Sequence, residues 1–247
     1  VSLAFLRRTL SRKPVLPDVL DVDGRTVPLR VRVSPRARRM TLRADAALGC
    51  IGLTLPSGVS HRRAAAFLET QKPWIAACTG KWPAPRPFAP GVSIPCGDAE
   101  IRIEWRADLP RTARLEGELL LIGGPAEALP RRVETWLRRE ALRLLTEDCA
   151  ALAAEIGLPP PPIRLGDTTG RWGSCSSQGA LAFSWRLVMA PEFVRRAVAA
   201  HEVAHIVHHN HGPEFHALCS RLSGATARKA TRWLATHGAA LHWIGRR

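Results

Sequence analysis

Residues 201–216 read HEVAHIVHHNHGPEFH and hold six of the chain's nine histidines. Imidazole nitrogen is a good ligand for ions of the zinc class, and a neighbouring carboxylate is a good proton acceptor. Spacing decides whether the two are used together. His201 and His205 stand four residues apart, which on a helix places both on one face, about 6 Å apart along the axis, so two rings can converge on one ion. Glu202 is turned about 100° from His201 and reaches a water at the metal rather than the metal itself. The flanking apolar residues, AVAA at 197–200 and Val203-Ala204, predict a buried helix. Buried imidazoles and a buried carboxylate require partners.

A hydrolytic site of this kind needs three protein ligands and an open position for water. The candidates for the third ligand are His208, His209, His211, Glu214 and His216. If the helix continues, His208 and His209 lie about 10–12 Å along the axis from His201, too far to share one ion. Asn210 and Gly212 are helix-ending residues, so the chain can turn there and swing His211 back under the metal before Pro213 starts another helix. His211 is the favoured third ligand, Glu214 the second choice, and His216 a packing residue of the next helix.

The elements that must position these groups follow from periodicity. Val27 to Leu55 alternates in the manner of strands, in VPLRVRV, RRMTLRA and CIGLTLP, and reads as an antiparallel meander with an arginine-bearing face. Ser60 caps a helical stretch that Pro73 breaks or kinks, and the proline-dense KWPAPRPFAPGVSIPCG is an extended connector. AEIRIEWR and ELLLI predict two more strands. After Pro130, apolar residues recur at helical spacing from Val133 to Ile156, the mark of a long scaffold helix ended by the prolines at 159–162. IRLGDTT and RWGSCSSQGALAFSW predict a strand, a glycine-bounded turn and a second strand. Pro191 opens the helix that carries the histidine motif, and ATARKATRWLATHG forms a last one. The division expected is a flexible tail over 1–22, a β-rich region over 23–125 and a helical domain over 126–247.

Composition bounds the rest. There are 247 residues and a net charge of +15, from 36 Lys+Arg against 21 Asp+Glu. The excess is arginine spread along the chain, compatible with a solvated surface and with weak nucleic-acid association, and no RNA-binding signature accompanies it. No run of apolar residues reaches the length of a membrane span. The start of the chain makes a poor secretory signal, and the six cysteines form no CxxC pair, so reduced thiols and a cytoplasmic location are expected. Neither a membrane partner nor a particular oligomeric state is indicated.

The block RWGSCSSQGALAFSWRLVMAP at 171–191, followed by HEVAHIVHHNHGPEF at 201–215, resembles the YgjP-like metal-dependent hydrolases, which sit beside the SprT-like and WLM zinc metallopeptidases. RARRMTLRADAALGCIGLTLPSGVS and KPWI also resemble that family's sheet region, so the likeness covers roughly residues 25–240. Two positions depart from the pattern: Ser184, where asparagine is expected, and His216, where an aromatic is usual. The resemblance implies an α+β fold, with a sheet-rich N-terminal region before a mainly helical zincin-like (minigluzincin-type) domain. It also implies a zinc ion on His201, His205 and His211, with Glu202 as catalytic base for a metal-activated water.

Peptide hydrolysis is the first activity implied. Hydrolysis of a nucleoside triphosphate such as UTP is the alternative, and a DNA-associated protease of the SprT/WLM kind is a further one. Many zinc peptidases steady the transition state with tyrosine, but this chain has none. Arg171, set between Gly170 and Gly173, is the candidate for that role, since its guanidinium matches carboxylate or phosphate oxygens in a forked contact. The alternative for Arg171 is to hold its own turn by bonding a backbone carbonyl or a buried carboxylate. Trp172 and Trp185 are expected in the core, and Cys175 is expected as a buried thiol rather than a nucleophile.

Overall fold

The computed structural model describes residues 16–246. The chain divides into two compact units, one ending at Trp82 and the other beginning at Pro83.

The first unit is a four-stranded sheet followed by two helices. Its strands are β1 (Val19–Val22), β2 (Arg25–Ser34), β3 (Thr41–Asp45) and β4 (Cys50–Pro56), in the order β1-β2-β4-β3. Alternation puts Val27, Leu29, Ile51, Leu53 and Leu55 into the core with Ala64, Leu68 and Ile75 of the helices. Arg30 and Arg43 pair with Gly52 from either side, which leaves Arg30, Arg32 and Arg43 on the opposite face. The helices are α1 (His61–Thr70), capped by the Ser60 side chain, and α2 (Lys72–Thr79); the expected break comes just before Pro73, which sits in the first turn of the second helix.

The strands are not an antiparallel meander, because β4 inserts between β2 and β3 and runs parallel to β2. Period-2 patterning fixes the face each side chain takes, not which strand lies beside it. The tail expected over 1–22 lies outside the described residues as far as residue 15, but Val19–Val22 form β1. β1 joins β2 through Asp23 and Gly24, both with positive φ, the geometry of a two-residue hairpin.

The second unit begins with strands β5 (Ser93–Cys96), β6 (Ala99–Trp105), β7 (Arg114–Glu116) and β8 (Leu119–Ile122), in the order β5-β6-β8-β7. The proline-dense connector therefore ends in a strand. This sheet repeats the connectivity of the first, with an antiparallel hairpin, a parallel second and fourth strand, and an antiparallel third strand at the edge. Its buried face, including Ile94, Ile101, Ile103, Leu120 and Ile122, shares one core with Leu129, Val133, Trp136 and Leu137 of the long helix α3 (Leu129–Ala154). The two compact units meet at 82/83, and the change from strand to helix expected at 125/126 lies within the second of them. A change from strand to helix is not a change of core when both bury their apolar faces against each other.

Beyond α3, strands β9 (Ile163–Gly166), β10 (Gly173–Cys175) and β11 (Leu181–Ser184) form a small sheet ordered β10-β11-β9. Helices α4 (Glu192–Val207), α5 (Pro213–Ser223) and α6 (Thr226–Leu241) complete the unit. The fold is thus α+β, and no helix among the described residues is long and apolar enough to cross a membrane.

Asp148 of α3 and Arg195 of α4 are both buried, and Arg195 Nε donates to Asp148 Oδ2 at 2.7 Å. The pair ties the scaffold helix to the helix of the histidine motif. Asp148→Ala leaves a guanidinium buried without its partner, so we expect a loss of about 3–5 kcal/mol. Denaturant unfolding followed by tryptophan fluorescence measures it.

Candidate metal centre

Helix α4 enters from Pro191 and buries Val194, Ala197, Ala199, Ala200, Val203 and Ala204, which carries His201 and His205 out on its last turns. The helix ends at Val207, earlier than the turn at Asn210–Gly212 that the sequence suggests. His208 is already extended (φ −124, ψ 101), although its N–H still bonds the Ala204 carbonyl. Asn210 Oδ1 then accepts from Gly212 N at 3.2 Å, a side-chain-closed turn that brings His211 back before Pro213 starts α5.

The three rings converge. His201 Nε2 lies 3.2 Å from His205 Nε2 and 3.3 Å from His211 Nε2, and the candidate donor atoms of the three all fall within 4.8 Å of one another. Nitrogens about 2.0–2.1 Å from a tetrahedral ion stand about 3.3 Å apart, so the donor set fits zinc-class coordination. His205 Nδ1 meets the His208 carbonyl at 3.0 Å, which assigns the proton to Nδ1 and leaves the Nε2 lone pair facing the other two rings. Burial, reinforced by His205, His211 and His216, holds the His201 pKa down at about 4, so its ring stays neutral and able to donate a lone pair at neutral pH.

A residue without an assigned role in the motif supports all three rings. Phe215 of α5 is buried and touches His201 edge-on at 5.0 Å between centroids, stacks on His205 at 4.4 Å and meets His211 at 4.7 Å. Its place two residues after Pro213, on the inner side of the first turn of α5, is the only sequence signal for it.

The remaining candidates fall away from the centre. His208 faces Glu214 at 3.6 Å, and the Glu214 side chain is 85% exposed. His209 is exposed. His216 packs at the outside of His211 and Phe215. Cys175 Sγ bonds the Ser176 carbonyl, and burial together with Glu202 raises its pKa, so it stays a thiol. Ser184, the other departure from the family pattern, is fully buried at the end of β11.

Glu202 is buried on the side of α4 that faces β10. A Cβ built on Gly173 would stand 2.5 Å from Glu202 Oε1 and 2.6 Å from its Cγ. Gly173 is therefore a glycine for steric reasons: the carboxylate occupies the space a side chain would take. Burial pushes the Glu202 pKa up to about 7, and the charge of Arg171 partly opposes the shift. A carboxyl poised there can both take and give a proton near neutral pH.

Both residues open on a cavity of about 290 Å³ lined by Arg171, Trp172, Gly173 and His201 on one side and by Val198, Ala230 and Leu234 among others. Thr168 Oγ1 donates to the Arg171 carbonyl at 2.7 Å and so holds the turn, while the Arg171 guanidinium makes no hydrogen bond or ion pair with the described residues. The alternative in which Arg171 side-chain bonds hold the turn is not what the structure has. Trp185 is in the core as expected. Trp172 lines the cavity and packs against α6, where Gly238 leaves room for its ring.

The family model described as YgjP-like, metallopeptidase domain, matches residues 38–237. No curated protein and no solved structure matches the chain.

His211→Ala removes one of three donors, and metal content by elemental analysis after dialysis is expected to fall to near zero. His208→Ala, His209→Ala and His216→Ala serve as controls and should keep theirs. Retention of metal in the His211 variant would rule it out as a ligand.

Proposed function

Because the chain belongs to the YgjP-like metallopeptidase family, we propose that it is a zinc-dependent hydrolase of peptide bonds, with His201, His205 and His211 as ligands and Glu202 as general base. An all-imidazole donor set suits zinc, which has no redox chemistry to control.

The observation that carries the peptide reading is the outer edge of β10, which lies outermost in its sheet and pairs with no other strand among the described residues. Ser184 N donates to the Trp172 carbonyl and Ser176 N to the Ala180 carbonyl. By the alternation of an antiparallel pair, Ser174 then turns its backbone groups toward β11, and Gly173 and Cys175 turn theirs away. An extended peptide laid along that edge meets backbone donors and acceptors two residues apart. The same Gly173 is the residue against which Glu202 rests, so a strand added there runs past the base and the ligands.

When bound, zinc supplies Lewis acidity and acidifies a water molecule. Glu202 accepts the proton of the attacking water and returns it to the leaving amine as the C–N bond breaks. Negative charge gathers on the carbonyl oxygen, and the uncommitted guanidinium of Arg171 is the group that answers it in a chain without tyrosine.

A second reading, hydrolysis of a nucleoside triphosphate, is favoured by the same guanidinium, whose fork matches phosphoryl oxygens equally well. The apolar wall of the cavity, with Ala197, Val198, Ala230 and Leu234, favours the peptide. Arg30, Arg32 and Arg43 on one face of the first sheet support association of such a peptidase with nucleic acid.

Cleavage of casein by the zinc-loaded chain tests the reading. Glu202→Gln should lower the rate about 10²–10⁴-fold with zinc retained. Pyrophosphate release from nucleotides, with casein left intact, would decide for the second reading. Gly173→Ala, which forces Glu202 off its seat, is expected to cost about a hundredfold in rate with full zinc content; unchanged turnover would show that the contact does not position the base.

A further inference from the structure

A second cavity in the same unit, of about 350 Å³, has a different chemistry. It lies between the segment leading into β7 and the first three turns of α3, and shares no lining residue with the cavity at the metal centre. Four arginines surround it, Arg111, Arg131, Arg132 and Arg139, and no carboxylate lines it among the described residues.

The arginines divide into two kinds. Arg132 donates to the Gly123 carbonyl and Arg139 to the Ala113 carbonyl, so these two hold the strand-end loops against α3 and are fixed by doing so. The fit around them is close. A Cβ on Gly123 would stand 1.7 Å from the Leu109 carbonyl oxygen, and one on Gly124 would stand 2.5 Å from Arg132 Nη1. Arg111 and Arg131, at the rim, make no side-chain hydrogen bond or ion pair with the described residues.

The positive charge is not balanced locally. The carboxylates of α3 that could offset it are engaged elsewhere, Glu134 with Arg138 and both Glu140 and Glu147 with Arg143. Asp148 is committed to Arg195. Glu127, just before α3, does not line the cavity. The positive end of the α3 dipole adds to the field. Four guanidinium groups held around one concavity repel each other, and a multiply charged oxyanion relieves that repulsion while satisfying their N–H groups in forked pairs. Thr112 and Thr135 add hydroxyl groups to the lining, and Trp136 and Ala113 an apolar wall.

We propose that this cavity is a binding site for a small phosphate-bearing ligand carrying two or more negative charges, independent of the metal centre. The volume suits a diphosphate or a nucleotide rather than a nucleic-acid duplex.

Calorimetric titration of the zinc-loaded full chain with inorganic pyrophosphate, at low salt and without phosphate buffer, tests it. Three variants are compared with the parent: Arg111→Gln with Arg131→Gln, His211→Ala, and Arg228→Gln with Arg232→Gln on the exposed side of α6. The expected result is saturable binding in the parent, the same within about twofold in the His211 and α6 variants, and about tenfold or more weaker in the rim variant. The rim variant should keep the parent's melting temperature, since neither side chain holds the fold.

Absence of binding in the parent would overturn the proposal, as would parental affinity in the rim variant. Equal loss in the α6 variant would reduce the effect to net charge, and loss in His211→Ala would move it to the metal centre; either outcome also overturns it. A nucleoside diphosphate binding more tightly than pyrophosphate, with the same dependence on the rim arginines, would identify the source as a nucleotide; weaker binding would identify it as an inorganic phosphate.

Discussion

Three imidazoles converge beside a buried carboxyl group whose pKa is raised to about 7, with His201 Nε2 3.2 Å from His205 Nε2 and 3.3 Å from His211 Nε2, an arrangement that a shared ion relieves. Most of the second unit can be understood as the structure needed to enforce it. A helix supplies two of the donors by its own period, but it cannot supply the third, because the next residue on that face lies too far along the axis. The chain must leave the helix, turn and return within a few residues, and it must do so against a rigid support.

That support is aromatic and apolar. Phe215 places one buried ring under all three imidazoles, and it can do so only because α5 begins at Pro213, immediately after the turn. The His208 carbonyl, freed by the early end of α4, becomes the acceptor that orients His205. The termination of the helix and the orientation of a ligand are thus one event. On the other side of the centre, β10 gives up a side chain at Gly173 so that Glu202 can be buried next to the ligands. Among the described residues no strand pairs with the outer edge of β10, which joins the position of the base to a surface an extended chain can use.

The rest of the unit holds these parts in place through burial and a few strong polar contacts. Asp148 and Arg195 link α3 to α4 in a region with little water, where a missing partner is costly. Arg186 stacks on Trp185, forks onto Asp167 and reaches the carbonyls of Leu241 and Ile244, which anchors the loop before Arg171 to the end of α6. The β5–β8 sheet does not touch this chemistry directly; its isoleucines complete the core on which α3 rests.

By itself, the sequence determined whatever depends on local periodicity and residue type. The i, i+4 histidines with Glu202, the capped start at Ser60, the interruption at Pro73, the long α3 and the return of His211 were all legible, because each rests on contacts a few residues apart. The Asp23-Gly24 turn is legible too, as a dipeptide suited to a two-residue hairpin. Tertiary structure alone decided which strand lies beside which, and so placed β4 parallel to β2 and gathered the β5–β8 strands into one unit with α3. It also decided that Phe215 lies beneath the ligands, that Gly173 makes way for Glu202, and that Arg171 keeps its guanidinium free. These depend on the meeting of segments far apart in the chain, where packing, not local pattern, chooses the partner.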